Sequence, residues 1–524
     1  MEPGLTAVHH PCQDMDTLMI LLLALFSLLG YRLISYYYRL ESNAVVPTEW
    51  PVLGHLVTVI ANIHRFQEWA TSASAAVGHN FEFRGGLTSV RYFITCDPAN
   101  VRHIFTSNFA NYHKGDHFTD IFGDVLGGGI ANADGDSWRR QRTEIQMALT
   151  APRFRAFAAR CSLDKVEKSL LPFLAGAADV GRPCDLQDVF LRLTFDTACS
   201  IIFGVDPGCL AAGLPVVPFA GAMDDASETC FLRHAIPAPC WKLMRRLQVG
   251  PERTMAEARK TIDSFVAEAI SKCRADKRGV DSADDMLSSF LCHDNISDDK
   301  FLRDMAVNLL LAGRDTTAAT LSWFFYLLSE NPRVEQKLLN ELSHVIASRE
   351  AGANNTAADG FVTFDASEVG NLVYLHAALC ECLRLYPPVP IEHKAAVADD
   401  ILPSGHGVKA GGNILVFSYA MARMEGVWGE DCMQFRPERW IAEEGKLRYE
   451  PSYKFIAFNA GPRTCLGKEM AFVQMKTAAA AVLWNFSVEV VPEHVVVPKL
   501  SIILHMKNGL AVRIGRRNAV KASS

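Results

Sequence analysis

The chain has 524 residues, of which 49% are hydrophobic and 21% are charged, and its formal net charge is -6. This balance is typical of a large globular enzyme and excludes a disordered chain. The small negative charge and the lack of a long lysine or arginine run argue against a nucleic acid partner. The fourteen cysteines have neither the dense spacing of a disulfide scaffold nor the CxxC pairs of a zinc site. We therefore expect most of them to be buried, reduced thiols.

The amino-terminal segment predicts a membrane anchor. No charged residue occurs from Thr17 to Tyr31, and the apolar character resumes after Arg32 and ends at Tyr38. Spanning a bilayer takes about 20 residues, and the long side chain of Arg32 can extend its charge to the interface. Acidic residues precede the segment and arginines follow it, which favours a retained anchor over a cleaved signal and places the body in the cytoplasm. We predict an anchor over residues 1–40.

Beyond the anchor, the sequence predicts a mainly α protein with small β-sheets. Pro47 and Pro51 disfavour helix and predict a stiff hinge over residues 41–55, followed by a globular body over residues 56–518. Helical periodicity predominates in that body, and residues 349–360 are typical of an exposed loop. Strands are predicted over residues 81–95, 413–417, 486–491 and 510–514.

The longest predicted helix begins at Ser297, a candidate N-cap, and ends before Pro332. At 1.5 Å per residue it would be about 50 Å long, and its apolar flanks predict a buried central helix. Its middle has the sequence Ala312-Gly-Arg-Asp-Thr-Thr317. Small residues here leave room for a ligand, and a threonine hydroxyl can bond to the carbonyl of the preceding turn.

A ten-residue motif near the carboxyl end, Phe458-Asn-Ala-Gly-Pro-Arg-Thr-Cys-Leu-Gly467, predicts a thiolate metal ligand. A helix is expected to begin at or just after Cys465, and its N–H groups and dipole would lower the pKa of that thiol. Arg463 could hold a carboxylate with two hydrogen bonds, and Phe458 would shield the sulfur from water. The glycines would let the backbone pass close to a flat group.

Three further segments carry charged residues. Each segment, taken alone, could have an ordinary structural role with no part in catalysis. Trp138-Arg-Arg-Gln-Arg142 would be a basic helix face. Glu381 and Arg384 are spaced i to i+3 on a predicted helix, as in a surface ion pair. Arg439 lies in the segment Phe-Arg-Pro-Glu-Arg-Trp.

The order of all these motifs along the chain resembles that of the cytochrome P450 superfamily. The resemblance implies that Cys465 is the axial ligand of a heme b iron and that Asp315 and Thr316 are the catalytic pair that delivers protons to dioxygen. It implies that Glu381, Arg384 and Arg439 form a buried network that braces the cofactor loop. The residues that the resemblance assigns to cofactor binding are Trp138, Arg142, Phe458, Gly461, Arg463, Cys465 and Gly467.

Electrons must come from another protein, because the sequence shows no convincing dinucleotide-binding motif and no flavin domain. The resemblance implies an NADPH-cytochrome P450 reductase, and Lys454 and Lys468 are candidates for its contact surface or are simple solvated lysines. It also implies a monomer, anchored once in the endoplasmic reticulum membrane with its catalytic domain in the cytoplasm.

In their individual residues, the motifs resemble those of the plant clan that hydroxylates fatty acids and alkanes. Within this clan the chain is most similar to the branch that holds midchain alkane hydroxylases and noroxomaritidine-type phenol-coupling enzymes, and the resemblance does not choose between these substrates. His393 and Lys394 could reach a propionate or a substrate oxygen, or lie in a solvated turn. By analogy the substrate pocket is lined by Gly313 and by apolar residues in the loop before Trp138, after a proline pair and near the carboxyl end. These residues are Phe118, Ile121, Phe122, Val125, Leu126, Val389, Ile391, Ile502, Ile503 and Leu504.

Two other functions remain open on the same fold. A haem isomerase or dehydratase would need neither dioxygen nor a reductase, and a haem sensor would need no catalysis. The intact pair of Asp315 and Thr316 argues against both.

Overall fold

The computed structural model describes residue 32 and residues 45–50, 53–86, 90–211, 213–275, 284–291, 298–349 and 360–517. Helices predominate in these residues, as the sequence predicts. The α-helices are α1 Leu56–Asn62, α2 Phe66–Ala76, α3 Pro98–Arg102, α4 Gly115–Leu126, α5 Gly135–Thr150, α6 Pro152–Lys165, α7 Leu171–Val180, α8 Leu186–Phe203, α9 Pro218–Ala235, α10 Ala238–Leu247, α11 Pro251–Ala275, α12 Met286–Leu291, α13 Asp299–Ser329, α14 Pro332–Ala347, α15 Ala366–Gly370, α16 Val373–Leu385, α17 Ser418–Met421, α18 Glu425–Trp428 and α19 Lys468–Asn485.

The strands form small sheets. Their bounds are β1 Asn80–Arg84, β2 Arg91–Thr95, β3 Tyr112–His113, β4 Cys184–Asp185, β5 Ile391–Ala396, β6 Asp400–Ile401, β7 Gly407–Val408, β8 Asn413–Phe417, β9 Phe486–Val490 and β10 Ala511–Arg516. A five-stranded sheet has the order β1-β2-β8-β5-β3, in which only the β2-β8 pair is parallel. An antiparallel three-stranded sheet has the order β4-β10-β9, and β6 pairs with β7. The four predicted strand regions are confirmed, and the first of them contains both β1 and β2.

Strand β5 was not predicted, and the interpretation of His393 and Lys394 as a solvated turn is wrong. His393 is 3% exposed and Lys394 is fully buried, because β5 lies between β8 and β3. The Lys394 ammonium donates to the Tyr112 carbonyl at 3.2 Å and lies 5.0 Å from the centre of the Phe105 ring. Burial lowers the pKa of Lys394 well below its usual range, and the carbonyl and the aromatic faces replace water around its amino group.

Helix α13 is the central helix that the sequence predicts. Its N-cap is Asp298, whose carboxylate accepts from the Lys300 N–H at 2.9 Å. The predicted cap, Ser297, precedes this residue and lies outside the described residues. The helix ends at Ser329, and Pro332 opens α14, as expected.

The hydrophobic core places the middle of α13 beside a cavity. Leu302 and Leu310 in its first half pack into one cluster of buried residues, and Leu321 and Phe324 in its second half pack into another. Residues 311–313 and 316–317, between these halves, line the cavity instead. The helix therefore presents its small residues to an internal space while its ends are fixed in the core.

The predicted anchor lies outside the described residues, except for Arg32. Within the part of the chain that the structure describes, no helix has the length and hydropathy needed to cross a bilayer. Helix α1 begins at Leu56. Just before it, Trp50 and Gly54 exchange backbone hydrogen bonds of 2.9 and 2.8 Å.

Candidate active site

A cavity of about 570 Å³ lies among α4, α13, β5 and the segment that carries Cys465. Its walls are mostly apolar, and they include most of the residues predicted for the substrate pocket. The predicted residues that line it are Phe118, Phe122, Leu126, Gly313, Val389, Ile391, Ile502 and Ile503.

Ile121, Val125 and Leu504 do not line this cavity, so their assignment to the pocket is wrong. The segment before Trp138 that carries the first two is helix α4 rather than a loop, and their side chains pack into the core. Leu504 is fully buried, and its carbonyl accepts from the Trp323 indole N–H at 2.7 Å. A helix has several faces, so alternate residues of one apolar segment point to different surroundings.

Cys465 lies between a 3₁₀ turn, Gly461–Arg463, and the start of α19. Its backbone N–H donates to the Phe458 carbonyl at 2.8 Å, which closes the loop that the motif predicts. The Cys465 side chain lines the cavity, through which its sulfur is accessible. The sulfur is therefore available to a group held inside the protein.

The surroundings of Cys465 act on its pKa in opposite directions. Burial has the largest effect and raises the pKa of the thiol. The N–H groups of Gly467 and Lys468 and the charges of Arg142 and Lys468 act to lower it, as the motif implies. A metal ion would decide the balance, because a coordinating thiol is deprotonated outright.

The backbone conformation and packing around Gly461 require a glycine. Its φ is +61°, and a Cβ atom built there would lie 1.8 Å from the Phe105 carbonyl oxygen. No side chain fits such a contact, so any substitution must move the loop. Gly467 differs, since a Cβ atom there would meet the Cys465 sulfur at an ordinary 4.0 Å.

Basic residues gather at one part of the cavity wall. Trp138 on α5 is buried, and the guanidinium groups of Arg463 and Arg142 lie 4.7 and 5.7 Å from the centre of its ring. Arg463 pairs with Asp134 at 2.6 Å, and Arg142 donates to the Thr464 carbonyl at 2.9 Å. All three predicted residues line the cavity. The Nε atom of Arg463 is buried and has no partner among the described residues, so it can bind a further acceptor.

Thr316 and Asp315 face different surroundings. Thr316 lines the cavity, and its hydroxyl donates to the Ala312 carbonyl at 2.7 Å. Asp315 is buried outside the cavity lining, where it accepts from Arg314 at 2.5 Å and lies 3.8 Å from His505 Nε2. The sequence places the two residues side by side, but the 100° turn per residue of a helix directs them apart.

Burial raises the pKa of Asp315 to about 6, and the nearby Arg314 only partly opposes this change. The folded protein then holds a proton that the unfolded chain, with its ordinary pKa of 3.8, releases. Stability is therefore lost as the pH rises through this window. We expect the unfolding free energy of Asp315→Asn, which stays neutral, to shift by about 1 to 2 kcal/mol in favour of the variant relative to wild type as the pH rises from about 5 to about 8, on top of a constant cost of leaving Arg314 without this partner.

Urea unfolding at a series of pH values measures this effect. Asp136→Asn, on an exposed position of α5, removes one negative charge and serves as the control. A constant difference between Asp315→Asn and wild type across the pH range would contradict the raised pKa.

Glu381, Arg384 and Arg439 meet in a buried cluster. The Arg384 guanidinium makes two bonds of 2.8 Å to the Glu381 carboxylate, and Arg439 Nε donates to it at 3.3 Å. Trp440 also donates to Glu381, at 2.9 Å, and its ring lies 4.6 Å from that of Phe455. Phe455 in turn lies 6.4 Å from Phe458. These successive side-chain contacts connect the cluster to the Cys465 loop.

Several residues near the cavity were not singled out from the sequence. Lys114 and His234 line the cavity, and Arg314 and His505 surround Asp315. The sequence does indicate that Arg314 is unusual, because it is a charged residue within an apolar helix. The others come from distant segments, and no local pattern indicates that they meet.

The two lysines proposed for a partner surface lie near the Cys465 loop. The Lys454 ammonium is paired with Glu450 at 3.0 Å and lies 4.5 Å from the centre of the Trp428 ring. Lys468 lies 5.6 Å from the centre of the Phe458 ring. The ammonium group of Lys454 is therefore held by protein contacts, unlike that of a fully solvated lysine.

Comparisons with known proteins agree with this geometry. A cytochrome P450 family model matches residues 45–511. The chain is 44% identical to noroxomaritidine synthase of Narcissus aff. pseudonarcissus MK-2014, over 92% of this chain and 93% of that protein. It is 42% identical to cytochrome P450 86B1 of Arabidopsis thaliana, over 90% and 85%, and 39% identical to alkane hydroxylase MAH1 of the same plant, over 89% and 93%. The Cys465 loop, the central helix and these matches together show that the chain is an oxidoreductase of the cytochrome P450 family.

Proposed function

We propose that this enzyme is a haem-thiolate monooxygenase that oxidises a lipophilic small molecule with dioxygen and electrons from NADPH. The observation that carries the proposal is that Cys465 and Thr316 line the same apolar cavity. A sulfur able to ligate a metal and a hydroxyl able to hold a proton therefore face one cavity.

The residues around the cavity fit heme b. The Cys465 sulfur reaches the cavity, the walls are largely apolar, and Arg463 Nε is a buried donor without a partner among the described residues. Cys465 would hold the iron, while Arg463, Arg142 and Trp138 would meet the anionic propionates. When bound, the haem group activates dioxygen, and the thiolate favours cleavage of the O–O bond.

The protein's own residues hold and move protons. Thr316 presents its hydroxyl to the cavity, oriented by its bond to Ala312. Asp315, with a pKa of about 6, exchanges a proton readily near neutral pH. Because its carboxylate lies outside the cavity lining, the proton must reach Thr316 through a rotation of the Asp315 side chain or through water.

Two substrate classes fit the apolar walls. One is a long-chain alkane or fatty acid that undergoes C–H hydroxylation. The other is a norbelladine-type phenol that undergoes intramolecular C–C coupling to noroxomaritidine. The names of the relatives at 39% and 44% identity support both classes, and an apolar lining accepts an alkyl chain or an aromatic amine.

We further propose that an NADPH-cytochrome P450 reductase supplies the electrons. The predicted anchor supports a location in the endoplasmic reticulum membrane, where such a reductase would meet a cytoplasmic catalytic domain. Lys454 and Lys468 remain proposed contacts for this partner.

A microsomal assay with the reductase tests the proposed function. An alkane, a fatty acid and a norbelladine-type phenol are offered in parallel, with and without NADPH. We expect an oxidised product from one class, dependent on NADPH and dioxygen. A product that forms without either would favour an isomerase or dehydratase, and turnover of none would contradict both proposed substrate classes.

Arg463→Leu should weaken haem retention, because it removes the buried donor predicted to meet a propionate. Hydrogen bonds to charged groups contribute about 1.5 to 3 kcal/mol, so we expect haem to dissociate at least about tenfold faster. Transfer of haem to an acceptor protein measures the rate. Arg463→Lys, which keeps the charge and loses the planar fork, should be intermediate.

Arg140→Leu, on the exposed face of α5, is the control for this measurement. Thermal unfolding of each variant reports any damage from leaving Asp134 without its partner Arg463. Unchanged haem dissociation in a folded Arg463→Leu protein would contradict the assignment.

A further inference from the structure

Three histidines from different elements meet beside the cavity. The ring centres of His117 and His234 lie 5.5 and 5.8 Å from that of His393. His234 and His393 line the cavity, whereas His117 lies behind them and bonds to the Tyr92 hydroxyl at 2.6 Å. The mechanism proposed above uses none of these groups.

His234 presents a hydrogen-bond acceptor at the cavity. Its Nδ1 atom lies 2.9 Å from the Cys230 carbonyl oxygen, and a carbonyl can only accept, so the proton is on Nδ1. The other ring nitrogen, Nε2, then carries a lone pair that can accept a hydrogen bond.

His393 provides a second acceptor. Its Nε2 atom lies 3.2 Å from the Asn413 side-chain oxygen and donates to it. Its Nδ1 atom is buried and has no partner within the described part of the chain, although the residue is only 3% exposed. A buried polar atom without a partner costs about 1 to 3 kcal/mol, a penalty that a ligand can remove.

The electrostatic surroundings favour a neutral ligand group. Burial lowers the pKa of His234 to about 4 and that of His393 well below its usual range, so both rings are neutral at physiological pH. The nearby cation Lys114 lies 3.5 Å from the Glu392 carboxylate and is balanced by it. A carboxylate would therefore meet acceptor lone pairs and a cation that is already paired.

We propose that His234 and His393 form a subsite that accepts a hydrogen bond from a hydroxyl group, alcoholic or phenolic, on an otherwise apolar substrate. This subsite rests on the proposed function only in that it takes the cavity to be the substrate site. It gives the cavity a means to orient a substrate that its apolar walls alone do not provide.

Equilibrium dialysis of the ferric holoprotein with matched ligands tests the subsite. The probes are bibenzyl, 4-(2-phenylethyl)phenol, 4-(2-phenylethyl)benzyl alcohol and 4-(2-phenylethyl)benzoate, which share one apolar body. We expect the phenol, the benzyl alcohol or both to bind about five- to tenfold more tightly than bibenzyl, since one hydrogen bond is gained. The two hydroxyl probes distinguish a phenolic from an alcoholic substrate, and the benzoate should bind more weakly than either.

Variants test whether the two histidines cause the preference for the hydroxyl probes over bibenzyl. His393→Phe and His234→Phe should each reduce the ratio of hydroxyl to hydrocarbon affinity toward one while bibenzyl binding is kept. His393→Gln, which retains an acceptor, should preserve part of the ratio. His344→Phe, at an exposed position of α14, is the matched control.

Equal affinity of the hydroxyl probes and bibenzyl, tightest binding of the benzoate, or an unchanged preference in both phenylalanine variants would each overturn the subsite. The carbon monoxide spectrum of every sample reports separately on the haem. A protein without the thiolate signature would refute the proposed function, while the dialysis ratios would still decide the subsite.

Discussion

Replacing Cys465 with serine is expected to abolish the Soret band that marks thiolate ligation in the reduced, carbon-monoxide-bound protein. Serine keeps the size of the side chain and the loop hydrogen bond from its backbone N–H to Phe458. Its hydroxyl does not ionise near neutral pH as a metal-bound thiol does, so the iron loses its anionic sulfur ligand. We expect monooxygenase activity to fall by at least about a thousandfold, since this donation favours O–O cleavage.

Two other cysteines provide controls for this measurement. Cys240 is exposed on α10, and Cys432 is buried with its thiol donating to the Arg423 carbonyl at 3.4 Å. Cys240→Ser and Cys432→Ser should both retain the thiolate band in whatever holoprotein they form. A Cys465→Ser protein that kept the band, or a wild-type protein that bound haem through a histidine, would refute the assignment of the ligand.

The Cys465 loop could be predicted because its chemistry lies within ten consecutive residues. The spacing of Phe458, Gly461 and Cys465 specifies a closed turn, and the structure forms it with local hydrogen bonds. The central helix was predictable for a similar reason, since its apolar flanks and Pro332 are all local features. The motif also indicated that the N–H groups at the start of α19 lower the pKa of Cys465, but not the opposing effect of burial, because burial depends on the whole protein.

Strand β5 shows what local reasoning cannot supply. The polar residues Glu392, His393 and Lys394 suggest a solvated segment. Each of these residues, however, has a partner in another segment of the chain. Lys114 pairs with Glu392, Asn413 with His393, and the Tyr112 carbonyl with Lys394. A polar segment can be buried when tertiary contacts satisfy it, and those contacts are not visible in a sequence window.

The relation between Asp315 and Thr316 was predicted in position but not in direction. The helix was assigned correctly, so each residue lies where it was expected along α13. The direction of Asp315 depends on Arg314 and on His505, which follows almost 200 residues later. The pocket residues of α4 were partly misassigned because that segment was taken for a loop, in which no helical face could be chosen.

Glu381→Gln should prevent the accumulation of stable holoprotein. The Glu381 carboxylate is fully buried and accepts from Arg384, Arg439, Trp440 and the Arg436 N–H. A glutamine offers one acceptor oxygen in place of two and turns an amide toward the donors. Arg384 is left as a buried charge without its counter-ion, a change that typically costs about 3 to 5 kcal/mol. This is comparable with the total stability of many domains.

The measurement is the urea midpoint of purified protein, together with the haem content per folded chain. Glu257→Gln removes the same group from an exposed i to i+4 pair with Arg253, and it should cost no more than about 0.5 kcal/mol. If Glu381→Gln loses haem while its helices stay folded, the cluster acts mainly by bracing the Cys465 loop through Trp440 and Phe455. If stability and haem content are both unchanged, the buried cluster neither stabilises the fold nor braces the Cys465 loop.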